Sequence, residues 1–292
     1  MASLFADSLT RFVLERAAVR GAVVSLDRAY RDILACRAYP SGLQRLLGET
    51  LAALCLLANS LKFEGSLMLQ LHGAGVLRLL VVECDASLNL RATAQWDGVV
   101  DEDALLADLA GASGETRLVL TLDPGDGGPL YQSVVALEGA SVAALFEHYL
   151  AKSEQIESRL WLGAASGRTC GLLLQRMPDA TDVDAAVWRR ASCAADTALA
   201  AFAASDAHAL LAALFPDDDV RAFRARTPRF ACSCSRQRVA SALQLLGSVE
   251  VESILAERST IGVDCEFCKK RYEFDPQQAR ALFASPPVTA VH

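Results

Sequence analysis

Two pairs of cysteines near the end of the chain constrain its fold more than any other feature of the sequence. The first pair, Cys232 and Cys234, lies in FACSCSRQRV, and the second pair, Cys265 and Cys268, follows thirty residues later in VDCEFCKKRY. Four thiolates from two short segments match a tetrahedral zinc site with Zn–S bonds of about 2.3 Å. An iron–sulfur cluster is the alternative, although the spacing is not one of its usual patterns. We predict that all four cysteines bind one zinc ion.

The residues around the two pairs predict a small zinc-binding module over residues 231–292. TIGVDCEFCKKRYEF is typical of a hairpin with the second pair at its turn. Between the pairs, SRQRVASALQLLG and SVEVESILAER predict two short helices with Gly247 as the stop. Asp275 and Pro276 are a favourable cap and first residue for a final helix.

Composition limits the class of protein and its location. The chain has 292 residues, of which 52% are hydrophobic and 22% charged, as in a well-cored globular protein. The net charge of −7 argues against a nucleic-acid partner.

The opening residues lack a basic start followed by an apolar run, and no stretch reads as a bilayer span, so we expect a cytoplasmic protein with no membrane partner. Nine cysteines then indicate a metal or redox cluster plus ordinary buried thiols at Cys36, Cys55, Cys84, Cys170 and Cys193.

The first 177 residues predict an α+β core domain with an antiparallel sheet. Residues 11–26 predict a strand, and residues 26–40 predict a helix that Pro40 stops. Ser41 is a plausible cap for a second helix. After Gly65 the apolar residues alternate, which is typical of an antiparallel meander. A hairpin over 116–137, a helix from Ser141 and two further strands complete the domain.

Residues 178–230, here called the linker, change to an alanine-rich composition that predicts helix as far as about Phe230, broken by Pro216 and Pro228. Its apolar side chains form a stripe that we expect to pack against another part of the protein. This linker stripe is also our candidate for a client-binding surface. It consists of Val187, Leu199, Phe202, Leu210, Leu211, Leu214 and Phe215.

The folding free energies that zinc and short disulfides contribute distinguish a permanent metal site from a switch. Zinc contributes about 10–16 kcal/mol of folding free energy to a small module of this kind. A disulfide within either pair closes a very short loop and contributes only about 1.5–2 kcal/mol. Oxidation within each pair would remove the thiolate ligands without joining one pair to the other, so it should unfold the module. Since the shorter loop is more strained, Cys265–Cys268 should form before Cys232–Cys234.

With these motifs the chain resembles the heat shock protein 33 family of redox-regulated holdase chaperones. The two cysteine pairs carry most of the resemblance. Further similarity lies in AVRG (18–21), LLGE (46–49), LKFEG (61–65), YQSVVALEG (131–139), SEQIESRLWL (153–162), SILAE (253–257) and CEFCKKRYEF (265–274).

The resemblance implies a core, a metastable linker and a zinc module, in a chaperone rather than an enzyme. It implies that the reduced, zinc-bound form is inactive and that oxidation forms Cys232–Cys234 and Cys265–Cys268, expels zinc and unfolds the linker. The oxidised protein is then expected to dimerise, to hold unfolding clients without ATP and to pass them to ATP-dependent refolding chaperones. This linker departs from the family pattern because alanine is the best helix former, so undocking could leave it partly helical. Cys193 within it is an extra thiol, which we expect to be inert.

Two other functions stay open at this point. Paired cysteines also suit a thiol oxidoreductase, although such enzymes usually carry one reactive pair beside a βαβ pattern. A zinc-ribbon nucleic-acid protein is the second alternative. Residues 229–274 hold seven basic and six acidic side chains, and such a nearly balanced charge attracts a phosphate backbone only weakly. His72, His148 and His208 have no nucleophile partner visible in the sequence, and DPGDGGP lacks the lysine of a phosphate-binding loop.

Overall fold

The first 231 residues, with their alternating and helical apolar patterns, contain two β-sheets and the helices that pack on them. The computed structural model describes residues 6–61, 63–111, 116–135, 141–165, 167–178, 182–198 and 207–284. The elements of this part are, in chain order, β1 (Ser8–Leu14), β2 (Val19–Leu26), α1 (Arg28–Leu34), α2 (Ser41–Ser60), β3 (Ser66–His72), β4 (Leu77–Asp85), β5 (Asn89–Trp96), α3 (Leu106–Ala110), β6 (Arg117–Asp123), β7 (Tyr131–Val135), α4 (Val142–Ser153), β8 (Ser158–Ala165), β9 (Arg168–Arg176), α5 (Asp182–Ala198), α6 (Ala207–Leu214), β10 (Val220–Ala222) and β11 (Arg229–Phe230).

The two sheets are antiparallel except at one edge. The five-stranded sheet has the order β10-β1-β2-β9-β8, and the six-stranded sheet has the order β11-β5-β4-β3-β6-β7. The meander predicted after Gly65 is β3–β4–β5, and the predicted hairpin that follows it is β6–β7. Only the pairing of the two-residue β11 with β5 is parallel among the described strands. The predicted α+β class is confirmed.

Helix α2 forms the centre of the main core. Every residue from Leu51 to Ala58 is buried, as expected for a helical segment that is apolar all round, whereas Gln44, Arg45 and Glu49 in the first half are partly exposed. Leu43, Leu47, Leu51 and Leu54 have no solvent exposure. The helix contacts strands of both sheets, so both sheets are positioned by the same helix.

Helices α5 and α6 pack on the opposite face of the five-stranded sheet. Alternate residues of β9 point to opposite sides, so that Leu173 lies in the main core while Leu172 and Leu174 lie in a second apolar cluster. In that cluster the sheet residues meet Trp188 of α5 and Leu211 of α6. The linker helices therefore cover an apolar sheet face.

Three local predictions differ from the structure. The linker is not helical to Phe230, because β10 pairs with β1 and β11 pairs with β5. Helix α1 ends at Leu34, well before Pro40. Ser41 is the first residue of α2 and not a side-chain cap, and the capping position is occupied by Pro40. Leu199 and Phe202 of the linker stripe lie outside the described residues.

Residues Cys232–His292 form a second unit, separate from the unit Met1–Ala231. It contains α7 (Arg236–Leu246), α8 (Ser248–Glu257), β12 (Ile261–Asp264), β13 (Arg271–Phe274) and α9 (Pro276–Ala284). The predicted stop between the first two helices is correct, since Gly247 has a φ of 90°, which favours glycine. Asp275 caps α9 by accepting a hydrogen bond from the Gln278 amide at 2.7 Å. The linker belongs to the first unit, and its separation from the core domain remains a prediction.

A test for membrane-spanning helices was negative for every single helix in the described ranges. Only α7 and α8 taken together, across a bend of 103°, reach the necessary length and apolarity.

Candidate metal centre

The four cysteines predicted as ligands converge at one point of the second unit. Their Sγ atoms all lie within 4.8 Å of one another. Two sulfur–sulfur contacts join one pair to the other: Cys232 to Cys265 at 3.7 Å and Cys234 to Cys268 at 3.4 Å. Within the described residues this is the one group of three or more potential ligands that could hold a metal.

Local structure explains how each pair presents its thiols. The second pair occupies the turn of the β12–β13 hairpin, as predicted, where the Cys265 amide donates to the Lys270 carbonyl at 3.0 Å. Lys269 closes this turn with a φ of 57°, in the left-handed region. The first pair precedes α7, whose first turn is capped by the Ser235 side chain. The second pair therefore lies in a turn fixed by backbone hydrogen bonds, and the first pair lies directly before a capped helix.

The donor set and its spacing fit zinc. A tetrahedron with Zn–S bonds of about 2.3 Å has sulfur–sulfur edges of about 3.8 Å. The two described contacts of 3.4 and 3.7 Å are close to that edge length. All four thiols are half-buried, as suits a closed structural site.

The thiols of the cluster differ in their ease of ionisation. Burial and the hydrogen bonds of neighbouring thiols raise the pKa of Cys268 to about 12, and burial also raises the pKa of Cys232. Burial would raise the pKa of Cys234 as well, but hydrogen bonds from Tyr272 and the other thiols lower it to about 7. Metal binding must therefore displace protons from Cys232 and Cys268, so affinity should rise with pH.

Tyr272 supports the site and was missed by sequence reasoning. Its hydroxyl donates to the Cys234 sulfur at 3.1 Å, while its ring is 5% exposed in the small core of the unit. The available signal was the position of Tyr272 in β13, opposite Val263 in the hairpin that carries the second pair. We predicted the hairpin but not the direction of this side chain.

Replacing Tyr272 with phenylalanine should weaken metal binding while preserving packing. The variant loses one hydrogen bond to a ligand sulfur, and losses of this kind typically reduce metal affinity about 10–100-fold. Competition with a chromogenic zinc chelator measures the change, and Tyr131→Phe, on an exposed tyrosine of the other unit, is the control. Equal zinc affinities of the two variants would contradict a supporting role.

The other predicted site residues lie in the first unit. Of the linker stripe, Leu210, Leu211, Leu214 and Phe215 are buried against the five-stranded sheet and Val187 is half-buried. Sequence reasoning missed the largest member of this contact, Trp188, which is 8% exposed and lies in the same cluster. The structure thus brings the described stripe residues together on one surface, which they share with the sheet.

The remaining cysteines and the three described histidines belong to the first unit. Cys55, Cys84 and Cys170 are buried, as expected for core thiols, whereas Cys193 is exposed on α5 and Cys36 is half-buried. His72 ends β3, His148 lies on α4 and His208 lies on α6.

The fold and the four-thiol cluster define an α+β protein with a candidate metal-thiolate centre in a small separate unit. Comparison with known proteins gives its family. The family described as "Hsp33 protein" matches residues 7–275. The chain belongs to the Hsp33 family, as the resemblance predicted.

Individual relatives agree over nearly the whole chain. The 33 kDa chaperonin of Chromobacterium violaceum is 43% identical, with 97% of this chain and 96% of that protein covered. The 33 kDa chaperonin of Methylobacillus flagellatus is 42% identical, with coverage of 96% and 95%. The crystal structure of the 33 kDa chaperonin from Thermotoga maritima has the same fold, with a TM-score of 0.78 at 18% identity over 95% of this chain and 98% of that one. These relatives are named as chaperonins, which fits a chaperone and not an enzyme.

Proposed function

We propose that this protein is a redox-regulated, ATP-independent holdase of the cytoplasm. The reduced form holds one zinc ion on Cys232, Cys234, Cys265 and Cys268 and is inactive. Oxidation to Cys232–Cys234 and Cys265–Cys268 activates it. The observation that carries the proposal is the convergence of both cysteine pairs, whose four Sγ atoms lie within 4.8 Å of one another, with sulfur contacts that run from one pair to the other.

The small unit has a modest apolar core. Among its described residues, the buried apolar side chains are those of Leu243, Val251, Ile261, Tyr272, Phe274 and Ala279. Below about 70 residues a core of this kind rarely stabilises a fold alone, and a structural metal supplies the difference. A bound zinc ion would cross-link the two pairs and contribute about 10–16 kcal/mol.

Oxidation removes that cross-link. The two thiolates of each pair give two electrons to an oxidant such as hypochlorous acid, which becomes chloride and hydroxide. One S–S bond forms in each pair, and the bonds from those two sulfurs to zinc break. The resulting loops are very short, and each stabilises the chain by about 1.5–2 kcal/mol at most. Neither bond connects Cys232 or Cys234 to Cys265 or Cys268, so the two halves of the unit are free to separate.

Release of the linker would then expose the client-binding surface. This surface combines the linker stripe with the sheet face beneath it, where Phe12, Leu172 and Leu174 lie. Unfolding proteins expose apolar side chains that such a surface can bury. By family likeness, the oxidised protein forms a homodimer and passes clients to ATP-dependent refolding chaperones.

One oxidation experiment tests this function. Hypochlorite, or peroxide with mild heat, is added to the reduced, zinc-loaded protein, and zinc release is followed beside light scattering of a thermally unfolding test protein. We expect about one zinc per chain to be released and suppression of aggregation to rise with it. Mass mapping should find Cys265–Cys268 closed before Cys232–Cys234. Suppression without zinc release, or release without suppression, would contradict the proposal.

A further inference from the structure

Strand β7 forms an outer edge of the six-stranded sheet. On its inner side it pairs with β6 from Tyr131, opposite Leu122, to Val135, opposite Leu118. On its outer side no strand pairs with it among the described residues. Apolar side chains are exposed along this edge: Leu130 by 57%, Tyr131 by 61% and Val134 by 74%.

An open edge of this composition is unusual. Proteins generally protect sheet edges with charged side chains, proline or very short strands, because free main-chain N–H and C=O groups pair readily with another chain. The other outer strands have such protection. Strand β8 carries Arg159, ion-paired with Glu147, β10 carries Arg221, ion-paired with Glu15, and β11 has two residues. Strand β7, with the sequence YQSVV, has neither charge nor proline.

We propose that the outer edge of β7 accepts an extended, apolar segment of an unfolded client as an added strand. The inference rests on the proposed holdase function and adds a second attachment surface, on the sheet that the linker helices do not cover. Strand addition uses main-chain hydrogen bonds, so it is tolerant of client sequence. Unfolding chains of many sequences present such segments.

The side chains of the sheet continue into the proposed strand position. Val134 lies opposite Val119, Val119 opposite Gln70, and Gln70 opposite Val81 across successive strands. An added strand would extend this row by one residue beside Val134. Neighbouring side chains in such a row favour apolar and β-branched partners, which matches the segments that a folded protein normally buries.

A second copy of this chain fits the edge less well than a client does. Pairing of two β7 strands would use about five residues a side, whereas stable interfaces use roughly 20–30 residues a side. A client held at the linker stripe as well gains from the raised effective concentration of its other segments. A short edge is therefore sufficient for a client, although it is too small for a stable dimer.

The test places a charge on the edge. Val134→Lys, at an exposed position, should leave the fold and zinc content unchanged but disfavour strand addition. We expect the oxidised variant to need about fivefold more protein for half-maximal suppression of aggregation. The control is Val99→Lys, since Val99 is 86% exposed and lies outside any strand. Hydrogen exchange of wild-type protein gives an independent readout, with slower exchange expected in the β7 peptide when client is added.

The outcomes separate this inference from the proposed function. If oxidised wild-type protein and Val99→Lys suppress aggregation and Val134→Lys does so equally well, with no protection of the β7 peptide, the edge is not a client site and the holdase function stands. If wild-type protein itself fails to suppress aggregation, the proposed function is wrong and the inference falls with it. A client-free dimer that dissociates only in Val134→Lys would identify a second copy as the occupant and overturn the inference.

Discussion

Replacing Cys265 with serine should unfold residues 232–292 and leave the first unit folded. Serine cannot supply the thiolate, and three ligands hold zinc much more weakly than four. Under the proposed function, a bound zinc ion would contribute about 10–16 kcal/mol to the folding of this unit. With only a few buried apolar side chains in its own core, it should not stay folded once most of that contribution is lost.

Limited proteolysis with mass mapping measures this result, together with zinc content. We expect rapid cleavage between Cys232 and Ala284 and protection of the strands in the first unit. Cys193→Ser is the matched control, because Cys193 is an exposed thiol on α5 outside the metal centre. A Cys265→Ser protein with full zinc content and a protease-resistant second unit would show that the unit is stable without this ligand.

Replacing Trp188 with alanine should partly activate the reduced protein. Trp188 is the largest linker side chain in the cluster that joins α5 to the five-stranded sheet. Truncation of a buried tryptophan typically costs about 3–5 kcal/mol. Since the proposed function requires release of the linker, weaker docking of α5 should expose the client-binding surface without oxidation.

Suppression of client aggregation by the reduced, zinc-loaded variant measures this effect, and binding of an apolar dye reports the exposed surface. Arg189→Ala is the matched control, since the neighbouring Arg189 is exposed and its Nε donates to the Ala185 carbonyl at 3.3 Å. If Trp188→Ala stays as inactive and as protease-resistant as the control, docking of α5 does not restrain the chaperone.

The candidate metal centre could be predicted from the sequence because its four cysteines lie in two short segments of the chain. Two short cysteine segments limit both the ligand type and the turn geometry, and the prediction of four converging thiols is confirmed. Tyr272 could not be predicted, because its contact with Cys234 depends on how the hairpin packs against a segment 38 residues away. The sequence shows which residues can bind the metal, but not which neighbour supports them.

The fold was predicted best where periodicity is strong. The alternation in residues 66–96 and the apolar positions of α2 correspond to the observed strands and helix. Strands β10 and β11 were missed because they are too short to show alternation and gain their pairing from distant partners: Val220 pairs with Leu14, and Arg229 pairs with Asn89. Alanine-rich composition nearby favoured helix. Trp188 was overlooked because Val187, beside it, matched the expected apolar spacing.

The pairing of β10 with β1 also limits what oxidation can set free. The chain leaves the five-stranded sheet after β9, where the Met177 amide donates to the Ala18 carbonyl, and rejoins it at Val220. Helices α5 and α6 therefore belong to a segment that is attached to the five-stranded sheet at both ends. When the thiols are reduced again, this segment samples only the conformations that its two attachment points on the sheet allow. Redocking of α5 and α6 within one chain should therefore be an intramolecular step whose rate does not depend on protein concentration.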